Sequence, residues 1–240
     1  MLDESGQSLM DRAAMTDLLE TLEQETGPSP QWAVIWLHGL GADGNDFAPI
    51  VPELVRRDWP AIRFVFPHAP VRPVTINNGV RMRAWYDISD MDFANRADMA
   101  GVYESIRDVD ALVAEEIARG IAEDHIFIAG FSQGGAITLS YGVRTPRKLA
   151  GLIALSTYLP AADAAATDLH PEVHHTPVFM AHGTQDPVIP IRESERSAVA
   201  LRAMGFEVEW AGYHPMQHST CREEIDSLQA WMSARLGVDG

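Results

Sequence analysis

The sequence predicts an α/β fold in which a mostly parallel central sheet is covered by helices on both faces. Three observations carry this prediction. Short runs of β-branched and aromatic residues, at 32–37, 62–66, 126–129, 152–155, 178–181 and 208–211, alternate with longer segments of helical spacing. Parallel strands need such crossovers, because each strand must enter the sheet from the same end as the last. The 240 residues, 46% of them hydrophobic, suffice for one full core, and no internal repeat interrupts the alternation.

Taken in order, residues 1–15 read as an N-terminal extension, frayed or helical, and residues 16–240 as a single domain. Leu18 and Leu22 suit a helix, but residues 19–23 also half alternate, and Gly27-Pro28-Ser29-Pro30 breaks the chain before the strand at 32–37. A helix is expected at 46–57 and a strand at 62–66. Residues 68–97 form an unusually long connection whose apolar residues, among them Val71, Val74, Ile76, Val80, Met82, Trp85, Ile88, Met91 and Phe93, are spaced too irregularly for one amphipathic helix. Such a segment is expected to fold over the carboxyl edge of the sheet as a partial cover, too short for a separate lid domain. The clearest helix spans 98–119, where Val102, Ile106, Val109, Val113 and Ile117 recur at three- and four-residue steps and Gly120 supplies a stop. Further helices are expected at 134–145, 192–204 and 222–236.

Composition narrows the partners. Lys and Arg number 18 against 34 Asp and Glu, and a formal charge of −16 repels phosphate backbones and anionic membrane surfaces, so no nucleic-acid partner is expected. The single cysteine, Cys221, excludes an intrachain disulfide and a zinc-binding cysteine cluster, and fits a reducing cytoplasm. The acidic start Met1-Leu2-Asp3-Glu4 does not read as a signal peptide, and no apolar run approaches a membrane span.

Chemistry enters at Gly130-Phe131-Ser132-Gln133-Gly134, which lies between an apolar strand and a helix. A nucleophile elbow needs glycines two residues either side of the serine, because side chains there would collide with the strand and the helix. Alone the pattern is weak; a glycine-rich turn with an idle serine has the same letters. The partners are what give it weight. A serine nucleophile needs a base, and the base an orienting acid, in the chain order serine, acid, histidine. Asp186 lies in the turn after the strand at 178–181, and His218 in the loop after the last strand. His214 competes with His218, but Pro215 ties it to the strand end, whereas His218 has the reach of a general base. Asp163 and Asp168 are alternative acids that read more simply as solvated loop carboxylates. The spacing of the two histidines also suggests a metal pair, yet no third ligand accompanies them, so no metal is expected. His170, His174 and His175 read as solvated loop residues, and Cys221 as a small buried hydrophobe.

An oxyanion hole is expected from the backbone N–H of Gln133 and a second N–H in the loop Leu37-His38-Gly39-Leu40-Gly41-Ala42-Asp43-Gly44, with Leu40 the candidate. The same glycines match a dinucleotide fingerprint. That rival reading would place Asp43 and Asp46 against a pyrophosphate, and the second strand ends Phe66-Pro67-His68 without the acid a ribose needs. Trp85 has two readings, as lining of a substrate pocket or as core. Three function classes follow: a serine carboxylic-ester hydrolase, a protein of the same scaffold that binds without turnover, and a dinucleotide-dependent oxidoreductase. No triad member is missing, which favours the first.

Four segments together resemble the bacterial carboxylesterase and acyl-protein thioesterase family, the phospholipase/carboxylesterase family of α/β hydrolases. They are residues 36–47, Met82-Arg83-Ala84-Trp85-Tyr86-Asp87, Gly130-Phe131-Ser132-Gln133-Gly134-Gly135, and residues 182–190. The resemblance spans about 31–236 and implies an α/β-hydrolase fold without a large lid domain. It implies Ser132, Asp186 and His218 as triad and the amides of Leu40 and Gln133 as oxyanion donors. It further implies activity on short- to medium-chain esters or thioesters through an acyl-enzyme, no cofactor, and often a homodimer. By resemblance, residues 18–25 contain a strand of an N-terminal hairpin, and residues 1–15 are an addition to the family pattern.

Overall fold

The computed structural model describes residues 18–90, 92–93, 96–173 and 176–238. The expected extension at 1–15, and the readings of Met91, His174 and His175, lie outside the described residues.

Seven strands form the main sheet: β1 (Thr21–Glu25), β2 (Trp32–Leu37), β3 (Ile62–Pro67), β6 (Ile126–Phe131), β7 (Gly151–Leu155), β8 (Val178–Gly183) and β9 (Val208–Tyr213). Their order is β1-β3-β2-β6-β7-β8-β9. Only β1 runs antiparallel, pairing along β3 from Thr21 opposite Pro67 to Glu25 opposite Arg63. The other neighbours are parallel, so the carboxyl ends of β2, β6, β8 and β9 gather at one edge.

Alternate residues of each strand face opposite layers. Ala33, Ile35, Leu37, Ile126, Ile128 and Leu152 pack with α2 (Met99–Ala118), α3 (Gln133–Arg144) and α5 (Ile191–Ala203). Val34, Trp36, Phe127, Ala129 and Phe179 pack with α1 (Val51–Leu54) and α6 (Arg222–Leu236). A sheet buried on both sides explains why its strands read as near-continuous apolar runs. Asp98 caps α2 by accepting the N–H groups of Ala100 and Gly101, the chain entering the helix at the boundary its periodicity suggests.

Three expectations change. The helix expected at 46–57 is a 3₁₀ turn at Ala48–Ile50 followed by the four residues of α1. Pro49 and Pro52 each remove a backbone donor, so a longer helix there would lack hydrogen bonds. Strands β6, β8 and β9 run two residues beyond their apolar stretches, because Gly130, Gly183 and Gly212 still pair in register although they add nothing to a hydrophobic pattern. Within 68–97, β4 (Val71–Val74) and β5 (Val80–Arg83) form a separate antiparallel hairpin with Val71 and Val80 exposed. A short helix α4 (Ala162–Ala165) completes the list.

Candidate active site

The elbow is built by close approach. A side-chain carbon on Gly130 would overlap Gly134, and one on Gly134 would overlap the carbonyl of Leu37. With both positions bare, β6 passes directly into α3, and Ser132 at the turn is held at φ 54° and ψ −116°, a conformation a non-glycine residue rarely adopts. Its N–H donates to Leu155 O at 2.9 Å and its carbonyl accepts from Thr157 Oγ1 at 2.6 Å, which fixes the strained turn from both sides.

The loops after β8 and β9 bring the two other candidates to this hydroxyl. His218 Nε2 is 2.9 Å from Ser132 Oγ, and His218 Nδ1 is 2.6 Å from Asp186 Oδ2. Asp186 Oδ1 accepts the N–H groups of Val188 at 2.8 Å and Ile189 at 2.9 Å, while His182 Nε2 lies 3.3 Å from Oδ2 and donates to Ile189 O at 2.8 Å. Burial pushes the Asp186 carboxyl up, but the hydrogen bonds from His182, His218 and Ile189 outweigh it and hold the group well below the usual carboxylate range. Asp186 is thus an ionised acceptor aimed at His218 Nδ1, which leaves Nε2 as the atom facing the serine. The imidazole also packs on Phe131, ring centroids 4.9 Å apart.

The rival histidine is elsewhere: His214 is exposed and meets Thr184 Oγ1 at 2.9 Å. The rival acid Asp168 accepts from Tyr103 Oη and Arg144, and Asp163 is exposed on α4. His170 lies on its loop, accepting the N–H of Glu172 at 3.1 Å. Cys221 is half-buried, and burial pushes its thiol up, away from thiolate character.

Beside Ser132, Leu40 and Gln133 present backbone N–H groups without a partner among the described residues. Those of Gly41 and Ala42 are spent on Arg83 O and Gly39 O. A network that sequence reading did not find holds the Leu40 loop against the elbow. Trp85 Nε1 donates to His38 O at 2.9 Å, the Trp85 N–H donates to Gln133 Oε1 at 2.9 Å, and Gln133 Nε2 donates to Tyr86 O at 2.7 Å. His38 Nε2 accepts from the Ala69 N–H at 3.0 Å and its Nδ1 faces Gly39 O at 2.7 Å. Burial pushes the His38 imidazolium down, and the neutral ring with its proton on Nδ1 satisfies both contacts. Only the position of His38 at the end of β2 pointed to it in sequence, and His182, at the end of β8, carried no more signal than that.

Trp85 is corrected by this network. Its side chain is 0% exposed and lines no cavity at Ser132; the indole is a strut under the Leu40 loop. The cavity of about 280 Å³ above Ser132 is walled instead by Gly39, Leu40, Tyr86, Ile88, Arg96 and Tyr158, with Val188, Ile189 and His218 closing another side. The expected cover therefore exists in part, through Tyr86, Ile88 and Arg96. The dinucleotide reading loses its helix: the fingerprint glycines lead into a turn and four helical residues, too short to aim several N–H groups at a pyrophosphate. Among the described residues no cluster of three or more candidate metal ligands occurs, and no helix is long and apolar enough to cross a membrane.

A backbone-lined, partly enclosed cavity with a hydroxyl, an imidazole and a carboxylate in series can take a proton from the hydroxyl and stabilise negative charge on an attacked carbonyl. Comparison with known proteins points the same way. Residues 22–236 match the model of the Phospholipase/Carboxylesterase family. The chain is 40% identical over 211 residues to Acyl-protein thioesterase 1 of Neurospora crassa, covering 85% of this chain and 86% of the relative. It is 35% identical over 219 residues to the Cryptococcus neoformans protein of the same name, covering 85% and 92%. The crystal structure of Arabidopsis thaliana SOBER1 superposes with a TM-score of 0.79 at 32% identity, covering 85% of this chain and 99% of that one. These relatives are fungal and plant proteins, and the bacterial label attached to the resemblance finds no support in them.

Proposed function

The chain belongs to the phospholipase/carboxylesterase family and is a hydrolase of esters or thioesters, and on that premise we propose that Ser132, His218 and Asp186 are its catalytic triad, with the N–H groups of Leu40 and Gln133 as oxyanion hole. One observation carries the assignment: the unbroken series from Ser132 Oγ through His218 to Asp186, 2.9 Å and 2.6 Å, opens into a cavity beside two unpaired backbone donors.

His218 Nε2 takes the hydroxyl proton as Ser132 Oγ bonds to the acyl carbon, and the ionised Asp186 stabilises the imidazolium that forms. The carbonyl oxygen gains the displaced electron pair and is received by the two N–H groups. Collapse of this tetrahedral species breaks the bond to the leaving oxygen or sulfur, which departs with the proton from His218. Water, deprotonated by His218, then attacks the acyl-enzyme and returns Ser132.

The cavity suits short to medium acyl chains. Each buried methylene adds at most about 0.8 kcal/mol, so kcat/KM should climb gently with chain length and then level off as the cavity fills. Residues 16–240 as one hydrolase domain, a homodimer and a cytoplasmic setting belong to the same proposal. The test is fluorophosphonate labelling of the purified protein, with the label lost in Ser132→Ala, together with 4-nitrophenyl esters of two to sixteen carbons below the micelle threshold. Labelling that persists in Ser132→Ala removes the triad assignment; a rate jump when substrate forms an interface removes the substrate class.

A further inference from the structure

The wall of the Ser132 cavity contains a cation that the hydrolytic mechanism does not use. Arg96 is 9% exposed and lines the cavity, and no carboxylate among the described residues lies within ion-pairing distance of its guanidinium. Its Nε is buried without a hydrogen-bond partner. The guanidinium carbon sits over the rings of Phe93 and Tyr158, 4.3 Å and 5.8 Å from their centroids, so aromatic contacts hold its position while its charge has no carboxylate partner among the described residues. Arg235 shares the aromatic contact and the unpartnered Nε, over Trp231, but it lines no part of the Ser132 cavity. Arg63 and Arg147, also buried to a large extent, are each paired with two or more carboxylates.

An unpaired, largely buried cation in a partly enclosed site costs stability unless something of opposite charge completes it. The surroundings fit an anionic oxygen group. Tyr86 and Tyr158 line the same cavity with their hydroxyls 3.4 Å apart, and burial pushes both phenols up, so they stay neutral O–H donors at working pH. Among the acids that line this cavity and the adjoining one, Asp46 is exposed on the Leu40 side, and Glu193 is paired with Arg192 and Arg196. Neither neutralises Arg96.

We propose that Arg96 is a specificity-determining residue that binds an anionic oxygen group, carboxylate or phosphate, carried by the ester a few bonds from the scissile carbonyl. The assignment rests on Ser132 being the nucleophile of this cavity. A charge-assisted hydrogen bond to a fixed guanidinium should favour the anionic ester by between about tenfold and about a hundredfold over a neutral one of equal length.

Two substrate pairs test it and tell the sources apart: monoethyl adipate against ethyl hexanoate puts a carboxylate on the acyl side, and 1-butanoylglycerol 3-phosphate against 1-butanoylglycerol puts a phosphate on the leaving group. The quantity read is the ratio of kcat/KM within each pair for the wild type, Arg96→Gln and Arg96→Lys. A preference of tenfold or more for the anionic member of either pair, collapsing in Arg96→Gln mainly through KM and largely kept in Arg96→Lys, supports the assignment. Turnover of the neutral esters with no anionic preference, or a preference that survives Arg96→Gln, overturns it and leaves ester hydrolysis standing. If neither pair is turned over at all, the proposed function falls and this assignment with it.

Discussion

Two carboxylates buried within one stretch of the sheet's carboxyl edge behave in opposite ways. Asp186, 9% exposed in the loop after β8, accepts two backbone N–H groups and meets two imidazoles, and is held ionised well below the ordinary range. Glu224, 0% exposed in the first turn of α6, has neither oxygen in a hydrogen bond. Burial pushes its pKa up to about 8, and the Cys221 N–H offsets this only slightly, without closing a hydrogen bond. Burial alone therefore favours the neutral acid; donors aimed at the oxygens are what make a buried carboxylate a working charge. The lesson separates a group built into a site from one enclosed by helix packing.

The largest expected effect breaks the series that Asp186 serves. Ser132→Ala or His218→Ala should lower kcat on the order of 10⁴ to 10⁶, while binding of a product analogue persists by calorimetry. Near-normal turnover in His218→Ala, with loss in His214→Ala, would move the base to the other histidine. Asp186→Asn keeps the shape and removes the charge, and should cost about 10⁴ in kcat. Glu224→Gln makes the same chemical change in the other carboxylate, and turnover should stay within about threefold, the range expected of a position outside the site. Equal losses in the two variants would dissolve the contrast.

A smaller effect comes from moving Asp186 toward the condition of Glu224. His182→Phe removes one of its donors, and steady-state kinetics should show kcat down roughly tenfold, as for loss of a group that orients rather than reacts. The depressed pKa of Asp186 stabilises the fold above the unfolded carboxylate range and is lost as pH falls, so this variant should also begin to unfold at a higher pH on acid titration.

The last effect concerns Glu224 and leaves turnover untouched, acting on stability alone. Its folded pKa of about 8 exceeds the unfolded value, so unfolding releases a proton and the group weakens the fold as pH rises from the unfolded range to about 8. Urea denaturation of Glu224→Gln should match the wild type near pH 4. Its advantage should grow across pH 5 to 8 and then level off on the order of 5 kcal/mol. A constant difference at all pH values would mean that the carboxyl is ionised in the fold after all.

Much of this was legible in the sequence, for reasons that are local. The strand, turn and helix around Ser132 could be read because glycines at 130 and 134 answer a steric demand of the turn itself, and α2 because its apolar residues repeat at helical spacing. The chain order of Ser132, Asp186 and His218 on loops after strands followed from the topology rule for parallel sheets, without any distance. The resemblance of four segments agreed with that reading, including Leu40 and Gln133 as oxyanion donors. Where local signals conflicted, the reading slipped. Pro49 and Pro52 stood in plain view within the stretch expected to be a helix at 46–57.

What only the tertiary structure decided depends on residues far apart in sequence. Nothing in Met82-Arg83-Ala84-Trp85-Tyr86-Asp87 distinguishes a tryptophan that lines a pocket from one that props a loop 47 positions away, because the difference is a hydrogen bond to His38 O. Arg96 and Glu224 carry the same charges as the many solvated arginines and glutamates of an acidic surface, and one helix or loop packed over each turned them into an unpaired buried cation and a neutral acid. Periodicity and turn chemistry are properties of neighbours along the chain. The electrostatic state of a side chain is a property of whatever the fold brings against it.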